Sequence, residues 1–458
     1  MDSLCVLVLA AGKGTRFKSH RVKVLHKLMG KPMLSWILES VSGLDPEKIY
    51  VVVGCQKEEV KSEVNREDVA FVYQAEQLGT AHAVLAARDA IETDLTKDIL
   101  IINGDLPLLR TGTLKPLVEK HKREKNDLTF MSAEMEDPTG FGRLIFDKEG
   151  RIRIVEEREA TAEQKKIKEA NVGIYVFNAE ALLETLPEIS NDNKKSEYYL
   201  TDAIEILSTK GSRIGVFRTE SLEEIVGVND RFELASAARK LRLRKIKMLA
   251  EEGITFYDPE STWIEADVKI GRDSVIYPSV VIEGKTVIGK ECVLSPSVHI
   301  IDSHIGDGVK ILTSTVIQES TIEDHVKVGP FAHLRPETVL KKGSKVGNFV
   351  EMKKTVFGEH SKAGHLSYLG DSIVGKEVNI GAGTITCNYD GKKKHRTVIE
   401  DGAFIGSGVE LVAPVKIGKN AYIGAGSTIT KDVAPYSLAV SRSPQKQRKD
   451  WARKRRKD

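Results

Sequence analysis

Three stretches of the chain carry side chains whose types and spacing suit chemistry. The first, Gly12-Lys13-Gly14-Thr15-Arg16, follows the apolar run Cys5–Ala11. Glycines there let backbone N–H groups approach a phosphate closely, and Lys23 adds a cation shortly beyond. The spacing is neither a Walker A loop nor a dinucleotide fingerprint. Nucleotide binding is one reading, and an ordinary turn after a first strand is the other. The second stretch is Asn103-Gly104-Asp105-Leu106-Pro107-Leu108. A carboxylate just past a buried strand lies where open α/β sheets hold their ligands. Asp also offers hard oxygens suited to Mg²⁺ bridging phosphates, although it could merely cap the turn before Pro107. The third gathers around His365, with Arg335, Glu351, Lys353, Lys354, Tyr368, Asn379 and Cys387-Asn388-Tyr389-Asp390-Gly391. Histidine is the side chain most easily poised to take a proton near neutral pH. His299, His304, His325 and His360 lack such company and are expected to be inert.

The elements that position these residues follow from periodicity. From Ile264 to Ile429 an aliphatic side chain returns every sixth residue, as in Ile264, Ile270, Ile276, Ile282, Ile288, Leu294 and Ile300. The step shortens by one at Ile305 and again at Ile322, then resumes. A period of six suits neither a helix nor a simple two-faced strand. A β-sandwich with regular turns is the ordinary alternative. The better solution is a left-handed parallel β-helix, a triangular prism whose coils stack at roughly 4.8 Å. Its aliphatic residues point inward, and the glycine that often follows each, or another small residue, is expected to help turn the corner. Chemistry belongs where the rhythm breaks, and the longest break is Cys387–Val398. In the first half, strands at Cys5–Ala11, Lys48–Val53 and Asp98–Ile102 and a helix over Ala81–Ile91 give an alternating α/β pattern. Phe232–Glu252 reads as one helix free of proline and glycine, stopped by Gly253. It serves as a rigid spacer or packs into the first half. The expected division is 1–231, a linker helix 232–252, and 253–458.

Composition bounds the partners. The 458 residues suffice for two or three domains. With 69 basic against 66 acidic residues, nothing in the balance demands nucleic acid or an anionic membrane. Cys5, Cys55, Cys292 and Cys387 have neither metal nor disulfide-framework spacing and read as reduced thiols of a cytoplasmic protein. The apolar run near the start follows no basic leader, and no stretch approaches the ~20 apolar residues of a membrane span. The basic tail Arg448–Lys457 is either solvated and mobile or a contact for a phosphorylated ligand.

Leu9-Ala-Ala-Gly-Lys-Gly-Thr-Arg16 and Lys23-Val-Leu-His26 resemble the signature of sugar-1-phosphate nucleotidyltransferases. Gln74-Ala-Glu-Gln-Leu-Gly-Thr80, Gly140-Phe-Gly-Arg143, Glu156, Asn171-Val-Gly-Ile174 and Gly227-Val-Asn-Asp-Arg231 narrow the likeness. With the hexapeptide half, essentially the whole chain resembles the bacterial bifunctional N-acetylglucosamine-1-phosphate uridyltransferase/glucosamine-1-phosphate acetyltransferase family. The resemblance implies a Rossmann-like α/β nucleotidyltransferase with a mostly parallel sheet, joined by a long helix to the left-handed β-helix. It implies that Leu9, Ala10, Ala11 and Gly12 meet the uridine nucleotide while Arg16 and Lys23 act on its phosphates. Gln74, Gly79 and Thr80 read the uracil, and Gly142, Glu156 and Asn171 surround the sugar. Asp105 and Asn229 hold Mg²⁺. In the second half His365 is the base, and Arg335 and Lys353 hold the phosphate of glucosamine 1-phosphate. Tyr368, Asn388 and Asn379 lie close to the sugar. Asn388, Tyr389, Ala382, Ser407, Ala425 and Arg442 contact acetyl-coenzyme A. UTP and N-acetylglucosamine 1-phosphate are the other substrates, and the assembly is a homotrimer with no nucleic acid partner. Asn103 departs from the expected pattern, in which an aromatic residue stands, without touching the case for Asp105. The competing reading makes the β-helix a module for assembly or effector sensing only.

Overall fold

The computed structural model describes residues 3–54, 56–93 and 97–456. Cys55 and Lys457, named above, lie outside the described residues. Two compact units divide the chain, Met1–Leu241 and Arg242–Asp458.

The first unit is built on β1 Leu4–Leu9, β2 Lys48–Val53, β3 Val69–Tyr73, β4 Asp98–Asn103, β5 Leu128–Glu134, β6 Gly142–Phe146, β7 Ile152–Val155, β8 Glu169–Asn178 and β9 Ile214–Arg218. Their order across the sheet is β9-β5-β8-β4-β1-β2-β3, with the β6–β7 hairpin attached to β8. The strands β4, β1, β2 and β3 run parallel. β8 opposes its neighbours β4 and β5, and the β6–β7 hairpin is antiparallel both within itself and to β8. The apolar run of β1 is explained by burial on both faces. Val6 and Val8 enter one core with Leu34, Ile37 and Leu38 of α1 (Met33–Ser42). Cys5 and Leu7 enter the other with Ala83, Val84, Ala203 and Ile204. The helix expected over Ala81–Ile91 is two pieces, α2 (Thr80–Ala86) and α3 (Arg88–Thr93). At Ala87 the amide bonds Val84 O, three residues back, at 2.9 Å. That tighter turn interrupts the α-helical ladder while Ala87 and Ile91 both stay buried.

The spacer helix runs Arg231–Glu251 (α4), and the division between units falls inside it. Its second half is core material: Ile246 and Leu249 pack with Ile254 and Ile264 of the second unit. The Arg242 guanidinium donates to the carbonyls of Glu260 and Thr262 at 2.6 and 2.8 Å.

The second unit is a left-handed parallel β-helix of three sheets, with 11, 10 and 9 short strands. Register pairs Ile264 with Ile282 and Ile270 with Ile288, then Ile288 with Ile305 and Ile305 with Ile322. The shortened steps in the sequence are thus coils one residue shorter, and each aliphatic residue stacks on its equivalent. Buried Thr386 takes an inward position because Gly370 N–H donates to its hydroxyl at 2.8 Å, which satisfies a group otherwise costly to bury.

The role expected for the repeating glycines needs correction. Of Gly271, Gly289, Gly306, Gly329, Gly347, Gly381, Gly406, Gly418 and Gly424, only Gly329 has a positive φ. The left-handed corner positions are held instead by residues such as Ser279, Ser297 and Ser314, at φ 59°, 59° and 56°. Glycine is needed for close stacking: a Cβ on Gly271 would stand 2.6 Å from the carbonyl carbon of Gly289 on the next coil. Gly271→Ala is therefore expected to destabilise the second unit by about 1–3 kcal/mol, the cost of overpacking. Gly364→Ala, with nothing within 4 Å of the added carbon, should cost far less. Equal losses in denaturant titrations of the two variants would refute the stacking account. Corner amides are capped by carboxylates of the following coil, as in Lys290 N–H to Asp307 at 2.7 Å and Lys376 N–H to Asp401 at 2.8 Å.

Cys5, Cys292 and Cys387 are thiols that form no disulfide among the described residues. No helix among the described residues is long and apolar enough to cross a membrane.

Candidate active sites

In the first unit β1, β2, β3 and β4 run parallel, so the loops after Leu9, Val53, Tyr73 and Asn103 all leave one sheet edge. That carboxyl edge is where open α/β sheets bind ligands. The glycine loop is shaped by Gly14, at φ 58°, where a Cβ would sit 2.7 Å from Cβ of Lys23. The close approach delivers Lys23 to the edge. Its ammonium lies 2.6 Å from Asp105 Oδ2 and 3.3 Å from Asn229 Oδ1, and Arg16 Nη2 donates to the same Asn229 oxygen at 3.0 Å. Two backbone links fix these groups: Val228 N–H to Asp105 O at 2.9 Å, and Asn229 N–H to Glu233 Oε2 at 2.5 Å. Two oxygens, one anionic, thus converge on a single cationic nitrogen. Among the described residues no group of three or more His, Cys, Asp or Glu could hold a metal. The pair is a donor set suited to Mg²⁺ completed by phosphate and water.

Further along the edge, buried Gln74 and the Gly79–Thr80 turn meet the segment Tyr198–Leu200. Gly79 has φ 115°, and a Cβ there would lie 2.7 Å from Tyr198 N. Leu200 N–H donates to Thr80 Oγ1 at 3.0 Å. The next residue, Thr201, donates to Glu156 Oε1 at 3.1 Å, and burial raises the Glu156 carboxyl above the ordinary glutamate range. Gly142 keeps this pocket open, since a Cβ would stand 2.5 Å from Ile154 Cγ2. Asn171 Nδ2 donates to the Tyr175 hydroxyl at 2.8 Å. Asp202 also faces this cluster: burial first, then Glu156 and Glu205, push its carboxyl up to about 6.

In the second unit His365 ends the strand Lys362–His365 and pairs in register with Asn348 of the preceding coil. Its Nδ1 lies 2.6 Å from Asn348 Oδ1. A carboxamide oxygen only accepts, so Nδ1 carries the proton and Nε2 keeps its lone pair. The ring is exposed. Arg335 bonds Glu351 at 2.7 Å. The Lys353 ammonium is held below the ordinary lysine range by Lys394 first and Arg335 after it. The crowding of Lys353 by Lys394 and Arg335 suits an anionic ligand. Lys394 comes from the insertion, whose strands bridge at Tyr389 and Lys394. Inside the insertion, backbone amides of Lys393 and Lys392, with His395, hold the Asp390 carboxyl far below its usual range. Asn388 Nδ2 donates to Asp371 at 2.5 Å. Tyr368 and Asn388 flank Gly370, where a Cβ would lie 2.5 Å from the Tyr368 hydroxyl and 2.7 Å from Asn388 Nδ2. Asn379 pairs in register with Lys362 of the preceding coil, on the strand that carries His365.

The remaining residues form one column. Ala363, Ile380, Ile405 and Ile423 pair in succession, so the residues two further on, His365, Ala382, Ser407 and Ala425, share a corner. Gly408 N–H bonds Ala382 O, Gly426 N–H bonds Ser407 O, and Arg442 Nη1 closes on Ala425 O at 2.6 Å. A corner of small side chains thus leads from His365 to an arginine. Among the groups in these sites that escaped the sequence reading are Asn348, Lys394, Asp202 and His82, which contacts Gln74. Adding one coil length to Asn348 lands on His365, a signal that was there to be used.

A phosphate-ready α/β edge joined to a hexapeptide prism defines a nucleotidyltransferase fused to a hexapeptide-type transferase. In agreement, the nucleotidyl transferase family matches residues 5–222, and the bacterial transferase hexapeptide family (six repeats) matches residues 396–431. The bifunctional protein GlmU of Thermotoga maritima is 52% identical over 99% of both chains. That of Thermoanaerobacter pseudethanolicus is 50% identical over 99% of both, and that of Pelobacter propionicus 46% over 98% of both. The chain belongs to the GlmU family.

Proposed function

We propose that the two units divide two reactions between them. The chain is a bifunctional transferase of UDP-N-acetylglucosamine synthesis: it moves acetyl from acetyl-coenzyme A to glucosamine 1-phosphate, then uridylyl from UTP to N-acetylglucosamine 1-phosphate. In the second unit Arg335 and Lys353 hold the sugar phosphate, with Lys394 beside them. Tyr368, Asn379 and Asn388 line the sugar. His365 Nε2 takes a proton from the amine, whose nitrogen attacks the thioester carbonyl; the C–S bond breaks and the coenzyme leaves as its thiol. Tyr389 and the column Ala382, Ser407, Ala425 and Arg442 accommodate the coenzyme. In the first unit Leu9–Gly12 meet the nucleotide, Gln74, Gly79 and Thr80 the base, and Gly142, Glu156 and Asn171 the sugar. The sugar phosphate oxygen attacks the α-phosphorus in line, and pyrophosphate leaves toward Arg16 and Lys23. Asp105 and Asn229 would hold Mg²⁺, which supplies charge neutralisation on the phosphates when bound. Chemistry of this kind rests on positioning and electrostatics rather than a protein nucleophile.

The observation that favours catalysis over mere assembly in the second unit is the continuous corner column from His365, whose ring is oriented by Asn348. A trimer, the closed ring expected of the family resemblance, would add neighbouring faces to this corner. The free thiols suit the cytoplasm, a reducing compartment. The decisive experiment offers the purified chain glucosamine 1-phosphate, acetyl-coenzyme A, UTP and Mg²⁺ and reads products by mass spectrometry. UDP-N-acetylglucosamine is expected only with all four present. Failure to acetylate, with uridylylation of supplied N-acetylglucosamine 1-phosphate intact, would reduce the β-helix to an assembly module.

A further inference from the structure

Gln74 is 2% exposed and its backbone N–H is tied to Val53 O at 2.9 Å. The two ends of its carboxamide have opposite needs. The Nε2 end faces Gly79 O at 3.5 Å and His82 Nδ1 at 3.0 Å. A backbone carbonyl only accepts, so the NH₂ group belongs on that side, and the same group requires a lone pair on His82 Nδ1. His82 is then the neutral tautomer protonated at Nε2. Among the described residues nothing donates to Gln74 Oε1, which stays free to accept. The His82 ring stacks on Tyr198, with centroids 6.3 Å apart and planes 30° apart. Tyr198 is itself pinned by backbone bonds to Leu78 and Ala81 at 2.7 and 2.9 Å.

From this geometry we infer that His82 is a positioning residue that sets the base selectivity of the nucleotide site. By accepting from Gln74 it fixes which end of the carboxamide is left for the base. A free acceptor suits a pyrimidine whose N3 carries hydrogen, as in uracil, and opposes cytosine, whose N3 carries a lone pair. Without the His82 lone pair only the long 3.5 Å contact with Gly79 O holds that orientation, and a carboxamide that turns over presents an NH₂ group that suits cytosine as well. A hydrogen-bonding site rejects the wrong partner because a buried polar group is left unpaired, and here that penalty depends on the histidine. The inference rests on the assignment of Gln74 to the base made above.

The test compares UTP with CTP in uridylyl-transfer kinetics of the full chain, with acetyl transfer as the control for folding. His82→Phe keeps a ring against Tyr198 and lacks the lone pair. It is expected to raise KM for UTP about tenfold with kcat little changed, and to lower the UTP-over-CTP ratio of kcat/KM about tenfold or more. His82→Asn carries an acceptor near the place of Nδ1 and should keep that ratio within about threefold. If His82→Phe does not fold, His82→Leu carries the same expectation. An unchanged ratio in His82→Phe, or equal losses in the Phe and Asn variants, overturns the inference. Gln74→Ala separates the two levels of the argument. If it weakens UTP use while His82→Phe does not, only the role of His82 falls; if it leaves UTP use untouched, the assignment of Gln74 falls with it.

Discussion

His365→Ala is expected to slow acetyl-transfer turnover by roughly 10²–10⁴-fold, the usual contribution of a positioned general base, with little change in KM for glucosamine 1-phosphate. A hexosamine amine is largely protonated at neutral pH and cannot attack a thioester until it loses that proton. Nε2 of His365 is available for the task because Nδ1 is engaged by Asn348 at 2.6 Å. His365→Asn keeps a polar side chain at the corner but no base of suitable strength, so it should fail as well. Arg335→Ala should behave differently, raising KM, because a phosphate is held in ground and transition states alike. Uridylyl transfer is the internal control in each variant. Near-parental acetylation by His365→Asn would end the general-base assignment.

The second large effect is expected at the other site. Asp105→Ala should reduce uridylyl transfer by about 10²–10³-fold, the scale on which preorganised electrostatic groups act. The substitution removes the anionic one of the two oxygens, from Asp105 and Asn229, that converge on the Lys23 ammonium. Both the proposed metal and the phosphate-side lysine lose their common partner. Asp105→Asn keeps the shape without the charge and should lose nearly as much. Acetyl transfer should survive both changes, and a chelator should stop uridylyl transfer while sparing acetyl transfer. If chelation stops acetyl transfer, or if Asp105→Ala transfers uridylyl at close to the parent rate, the division of labour is wrong.

The prism was legible because its inside is written once per face: Ile264, Ile282 and Ile300 recur in step, and the missing residue before Ile305 reappears as a shorter coil. Why glycine recurs was not legible. Composition shows that Gly271 lacks a side chain, but a demand on φ and a demand for closeness look identical in one dimension. The glycine loop and Asp105 could be placed at a strand edge from pattern alone. Their convergence on Asn229, more than a hundred residues later, required the fold, and the resemblance to known enzymes supplied it first. His82 and Lys394 were passed over because each acts through a neighbour, Gln74 or Lys353, rather than through a motif. The break at Ala87 hides for another reason. Alanine favours helix in isolation, so the tighter turn at Ala87, where both Ala87 and Ile91 are buried, leaves no mark in composition.

The loop carrying Asn388, Tyr389 and Lys394 leaves and rejoins the prism without disturbing what it interrupts. Ser372, Ile373 and Val374 pair with Thr397, Val398 and Ile399 as though the intervening residues were an ordinary corner. Beyond Asn388, which is tied to Asp371, this wall of the proposed acetyl site leaves the register of the core that carries it unbroken. Its length and sequence can then drift, in nature or by design, without a compensating change among the stacked isoleucines. On the reading proposed above, acceptor choice falls on the part of the chain where mutation has the least to break.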